Sequence, residues 1–186
     1  RIIFWQIDEA QRVRTGKMMK YYPPGHPNFG HKDKEASWKF DFIHATLSKH
    51  WDAEKREWTD EPPYPYPHIF DPSKQEMKQC LFGMHLLNRY KRKDIDQAVC
   101  IVESEKTALI CANAYGKPEE SLWMACGGLK FLKLESLQPL IDQGRRIWLW
   151  PDKDGIEDWR QKCEHLLDER VKITTKFLDV SWTEDD

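Results

Sequence analysis

The chain lacks a Cys-x-x-Cys pair, a long apolar run and an excess of either charge. Its five cysteines stand apart, at Cys80, Cys100, Cys111, Cys126 and Cys163. An odd and scattered set argues against a disulfide framework, so a reduced, cytoplasmic compartment is the expectation. No stretch approaches the ~20 apolar residues that a membrane-spanning helix needs. No secretory leader pattern is visible, and no membrane association is expected. The formal net charge is only -2, so no global basic field announces a nucleic-acid partner. Arg1 leads straight into an apolar, strand-like stretch, as expected of a piece of something longer.

What is present suits a well-solvated globular protein: 40% hydrophobic and 32% charged residues over 186 positions. Nine tryptophans point to a bulky core and to aromatic platforms. Charge is locally uneven. From Arg12 to Lys39 there are seven basic residues against two acids. Lys91-Arg92-Lys93 forms a second cluster. Runs of this kind are ordinarily solvated faces.

The chain reads as two parts, a smaller α+β subdomain over 1–75 and an α/β domain over 76–186. In the first, Ile2 to Ile7 is β-prone. Asp8 to Gln11 reads as a turn, and Arg12 to Met19 returns as the second strand of a hairpin. Ser37 to Asp41 is a further short strand. The Pro-rich run from Glu61 to Pro67 excludes helix and forms a stiff connector. In the second part Met77 to Tyr90 has apolar residues at helical spacing. Short apolar strands follow at 98–102, 122–126, 146–150 and 171–180, as expected of strands buried on both faces. Helices over 106–115, 130–143 and 155–170 alternate with them. That alternation predicts a parallel sheet flanked by helices.

In such sheets functional groups collect beyond the carboxyl ends of the strands. The rule selects Glu103 after the first strand, Gly127-Gly128 after the second, and Asp152-Lys153-Asp154 after the third. Neighbouring carboxylates raise each other's pKa unless a cation neutralises them. A hard dication such as Mg²⁺ takes oxygen ligands and keeps waters and phosphates in its shell. Residues Glu103, Asp152 and Asp154 are thus candidates for catalysis and for metal binding. The competing reading makes each acid a local cap of the helix that follows it. The glycine pair would bring backbone N–H groups close to a phosphate. Lys106 and Lys153, inside the acidic motifs, are candidate phosphate contacts or partners of the carboxylates.

Val102-Glu103-Ser104-Glu105-Lys106-Thr107-Ala108 resembles the first motif of the Toprim family, an apolar strand ending in a catalytic Glu. Trp150-Pro151-Asp152-Lys153-Asp154 is similar to that family's Asp-x-Asp motif. Ala125-Cys126-Gly127-Gly128 falls at its intermediate Gly-containing turn. Upstream, Ile7-Asp8 with Arg12-Val13 and Gly16, then Cys80 to His85, is similar to the subdomain that precedes Toprim in bacterial-type primases.

The resemblance implies a primase-like catalytic core of mobile-element proteins, performing metal-dependent nucleotidyl transfer with Mg²⁺ or Mn²⁺. It implies single-stranded DNA template and nucleotides as partners, with helicase or other replication proteins beyond them. Arg12, Arg14 and Lys17 are the nearest equivalents of the basic residues along the template path, and Lys78, placed with Lys91-Arg92-Lys93 just before the site strand, is a candidate contact to a phosphate backbone. Departures are visible: Thr107 stands where many primases have an Asp, Lys153 and Glu157 stand where Gly is common, and no zinc ribbon precedes the core. They keep two other readings open, a Toprim nuclease and a nucleic-acid-binding module whose chemistry has weakened.

Overall fold

The computed structural model describes residues 1–36, 40–44, 50–52, 57–59, 78–89, 97–115, 121–167 and 170–174. The Pro-rich connector, the cluster at 91–93 and the expected strand beyond 174 lie outside the described residues. Two units emerge: 1–6 with 13–79, and 7–12 with 80–186. The division at 79/80 lies close to the 75/76 boundary read from composition. The hairpin turn 7–12, however, groups with the second unit.

In the first unit, β1 (Ile2–Ile7), β2 (Val13–Met19) and β3 (Phe40–Phe42) form a sheet with β2 central. Strand β2 is buried at every residue from Thr15 to Met19. A short hairpin that the sequence did not announce pairs β4 (His50–Asp52) with β5 (Glu57–Thr59), Trp51 opposite Trp58. Its backbone register makes two β-prone aromatic residues partners.

The second unit is mixed α/β, with four strands in the order β7-β6-β8-β9. They are β6 (Ala98–Val102), β7 (Ser121–Ala125), β8 (Ile147–Trp150) and β9 (Val171–Ile173). All three pairings are parallel. Alternation along the strands divides the core. Val99, Ile101, Leu122, Met124, Ile147 and Leu149 pack on one face with Leu137, Leu140, Trp159 and Cys163. Cys100, Val102, Trp123 and Ala125 pack on the other with Ala108 and Cys111. Helices therefore cover both faces: α2 (Glu105–Ala114) one, α3 (Leu134–Asp142) and α4 (Ile156–Cys163) the other. Both faces being covered explains why the strands read as unbroken apolar runs.

Three helices are shorter than their periodicity suggests. Among the described residues of 77–90, only α1 (Leu86–Arg89) is α-helical. Phe82 instead bridges Ala125 on the sheet edge, donating its N–H at 2.8 Å and accepting that of Ala125 at 3.1 Å. Leu81, Met84 and Leu87 are still buried, so the spacing reported burial correctly and conformation incorrectly. The expected helix 130–143 opens with a 3-10 turn (Leu129–Phe131) and an extended Leu132-Lys133 before α3 begins. That expected over 155–170 ends as α-helix at Cys163 and continues as a 3-10 turn to Leu166. Among the described residues, no helix is long and apolar enough to cross a membrane.

Candidate active site at the carboxyl edge of the parallel sheet

The strand order determines where a site can form. The chain leaves β6 for β7 on one side, then crosses to β8 on the other side of β6 and goes on to β9. The reversal lies between β6 and β8, where a crevice opens beyond the carboxyl ends of the strands. Glu103 is the first residue after β6, and Pro151-Asp152 are the first after β8.

Glu103 ties the three strand ends together. Its carboxylate Oε1 accepts the Asp152 N–H at 3.1 Å, joining β6 to β8. Its backbone carbonyl accepts the Gly127 N–H at 2.8 Å, joining β6 to β7. The residue is only 7% exposed. Gly155 is required opposite it. A Cβ there would collide with Glu103 Oε1 and stand 2.7 Å from Leu129 Cδ1, and real Cβ atoms do not approach so closely. Leu129 is in turn held from behind, its carbonyl accepting the Nε1–H of the fully buried Trp159 at 3.0 Å.

Electrostatics at this edge are unbalanced. Burial, the largest cause, together with the charges of Asp152, Asp154 and Asp158 pushes the Glu103 carboxyl up to about 7, opposed by the Asp152 N–H. Asp158, a fourth acid, was missed in the sequence. Its signal was the four-residue spacing from Asp154, one helical turn. Glu105, buried in the first turn of α2, was also passed over. Cys126 lies beside them, its thiol pushed up to about 12 by burial and directed at the Gly128 carbonyl at 3.2 Å. A thiol so held is a structural group and not a nucleophile.

The capping alternative fails for these acids. The caps of α2 and α4 are Ser104 and Gly155, and neither makes a side-chain capping bond. Asp152 precedes the 3-10 turn Lys153–Gly155 without a side-chain cap either. The expected three-carboxylate ligand set is nevertheless not gathered as such. Among the described residues, no group of three His, Cys, Asp or Glu side chains is placed to hold a metal ion. Glu103 is turned to the Asp152 N–H, while Asp152 and Asp154 are exposed.

The other candidates divide. Lys106 and Lys153 are exposed at the same edge, on α2 and on the 3-10 turn. The Gly127 N–H is engaged by Glu103 and is not open to a phosphate, against expectation. Gly128 follows it at φ 144°, its carbonyl accepting the Phe131 N–H at 2.9 Å. Arg12 belongs to the second unit, where its guanidinium pairs with Asp8 at 2.8 Å. The Asp8 carboxylate also accepts the N–H groups of Ala10 and Arg12, so the pair organises a turn. Lys17 is a correction: it is buried in the first unit, with its ammonium 5.4 Å from the Phe40 ring centroid. A buried central-strand lysine packs its own sheet and does not line a template path. Arg14 is half-buried and Lys78 exposed, both in the first unit.

Residues 1–153 match a family described as a domain of unknown function, DUF6371. The chain belongs to the DUF6371 family. The DUF6371 match includes Glu103 and Asp152 and ends one residue before Asp154. No curated protein and no solved structure matches this DUF6371 chain.

Proposed function

We propose that the carboxyl edge of this sheet is a Toprim-type centre for phosphoryl or nucleotidyl transfer on nucleic acid, primase-like in its chemistry. One observation carries the reading: a buried Glu103 held against the Asp152 backbone at the strand-order reversal, with burial first and the charges of three further acids second pushing its carboxyl up to about 7. A carboxyl perturbed by burial and by neighbouring charges in a crevice is a functional-site candidate. The four-stranded parallel sheet flanked by helices supports the same assignment.

The donor set suits a hard dication. All the acids offer oxygen, and their mutual repulsion is what Mg²⁺ or Mn²⁺ relieves. Mg²⁺ is usually held by one or two carboxylates with waters and substrate phosphates. Exposed Asp152 and Asp154 would hold it. Bound there, it would supply charge neutralisation for an in-line displacement at phosphorus. Glu103, with a pKa of about 7, holds or accepts a proton near neutrality, the property wanted of a general acid or base. Lys106 and Lys153 are positioned on this edge to meet phosphate oxygens as point charges.

The test is primer synthesis on single-stranded DNA with labelled nucleotides and Mg²⁺ or Mn²⁺. Labelled product is expected from the wild type and none from Asp152→Asn/Asp154→Asn. Strand cleavage without synthesis would replace transferase by nuclease. Neither product, with unchanged DNA affinity in the double variant, would reduce the edge to a binding surface.

A further inference from the structure

The opposite, amino edge of the same sheet holds a buried charge of the other sign. Arg145 is 7% exposed, and burial pushes its guanidinium below its ordinary pKa. Its position is built. Helix α3 ends in a Schellman arrangement: Gly144, at φ 67°, donates to the Ile141 carbonyl at 2.8 Å, and Arg145 N–H donates to the Leu140 carbonyl at 3.0 Å. That turn delivers Arg145 to the start of β8. Its Nη1 donates to Gln97 Oε1 at 2.8 Å, just before β6, and its Nε to Gln143 Oε1 at 3.4 Å. Both partners are neutral amides. Among the described residues, no carboxylate pairs with it. Buried guanidinium groups are normally matched by an acid.

Beside it lies a cavity of about 230 Å³ lined by Ile141, Arg145, His165, Leu166, Arg170 and Val171. Arg170 is brought there by the sheet, because its carbonyl accepts the Ile147 N–H at 2.7 Å. Two guanidiniums and an imidazole thus share one cavity with an aliphatic wall. The volume is below the ~300–1,000 Å³ of drug-sized ligand sites, so its occupant is small.

We propose that this cavity binds a small phosphate monoester, with the guanidinium of Arg145 as its buried anchor and Arg170 and His165 closing over the anion. A guanidinium fork matches two oxygens of a phosphate at once. Two such groups with an imidazole suit a dianion better than a single carboxylate. Ile141, Leu166 and Val171 would cover a compact apolar body attached to the phosphate. The site is independent of the acidic edge and of the function proposed for it.

Calorimetric titration at constant ionic strength tests this, with inorganic phosphate, isobutyl phosphate and acetate as probes. Saturable binding of phosphate is expected, tighter for the alkyl monoester and absent for acetate. Arg170→Ala and His165→Ala change exposed side chains and leave the core intact. Arg170→Ala is expected to weaken binding about tenfold or more, the size of a lost charge-assisted hydrogen bond. His165→Ala is expected to weaken it less. Arg145→Lys, checked for folding by circular dichroism, keeps the charge and loses the fork, and should bind at least as weakly as Arg170→Ala. Asp152→Asn/Asp154→Asn, without metal, should bind phosphate like the wild type. Absence of saturable binding overturns the proposal. So does acetate binding as tightly as phosphate, or unaltered affinity in folded Arg145→Lys and Arg170→Ala.

Discussion

The two edges of the parallel sheet are electrostatic opposites. At the carboxyl edge, buried Glu103 feels the charges of Asp152, Asp154 and Asp158. At the amino edge, buried Arg145 shares a cavity with Arg170 and His165. In both places an ionisable group is kept from water, and its hydrogen-bond partner carries no opposite charge. Glu103 has a backbone N–H and Arg145 has amide oxygens. Such an arrangement is unfavourable for folding alone. Its occurrence at both ends of one sheet puts a buried carboxyl and a buried guanidinium at opposite ends of the strands, the contrast on which the two proposals rest.

The comparison can be broken or sharpened by substitution. The largest effect is expected behind the acidic edge, from Trp159→Ala. Removing this fully buried indole should cost about 3–5 kcal/mol. Urea denaturation would show the midpoint lowered with little change in slope if the fold is otherwise kept. Next comes Gly155→Ala, whose methyl group would displace Glu103 or Leu129. Overpacking of this kind costs about 1–3 kcal/mol, and primer synthesis should fall with it. An unchanged thermal midpoint would show that Glu103 is not held at this distance.

The pH response is smaller and has a definite sign. The folded state raises the Glu103 pKa from its ordinary 4.5 to about 7. The folded form therefore holds the proton more tightly than the unfolded chain does. Its stability is full at and below pH 4.5, declines as pH rises through that window, and reaches its lowest contribution above pH 7. Glu103→Gln escapes this loss. After allowance for water at the edge, it should gain about 1–2 kcal/mol relative to wild type between pH 5 and pH 8. Thermal melts at the two pH values read this. Millimolar Mg²⁺ should raise the wild-type midpoint at pH 8 and have less effect on Asp152→Asn/Asp154→Asn. The smallest effect belongs to Lys106→Ala and Lys153→Ala. Each should lower the slope of log affinity for single-stranded DNA against log salt by about 0.7. No change in slope would remove them from the phosphate path.

Much of the second unit was legible in the sequence, for a physical reason. Strands buried on both faces are continuous apolar runs, so β6, β7 and β8 stood out within a residue of their ends. The acids after β6 and β8 followed from the strand-end rule. Less was legible where burial and conformation part company. Leu81, Met84 and Leu87 are spaced as in a helix and buried as in one, yet Phe82 pairs with the sheet and the helix is limited to Leu86–Arg89. Lys17 read as a surface cation because its position in the centre of a sheet depends on β3, more than twenty residues away. Gly127-Gly128 read as a phosphate cradle because nothing local reveals that the Gly127 N–H is engaged by Glu103.

Short-range order in the chain determined which segments are strands, which residues are apolar enough to be covered on both faces, and which acids follow them. Tertiary structure decided the rest. It put β6 between β7 and β8, turned the Glu103 carboxylate onto the Asp152 N–H, required Gly155 to be bare, and buried Arg145 against Gln97. These features join residues from about twenty to about fifty positions apart. Pairing and burial at that separation are set by how the layers pack, and periodicity within any one segment carries no record of it.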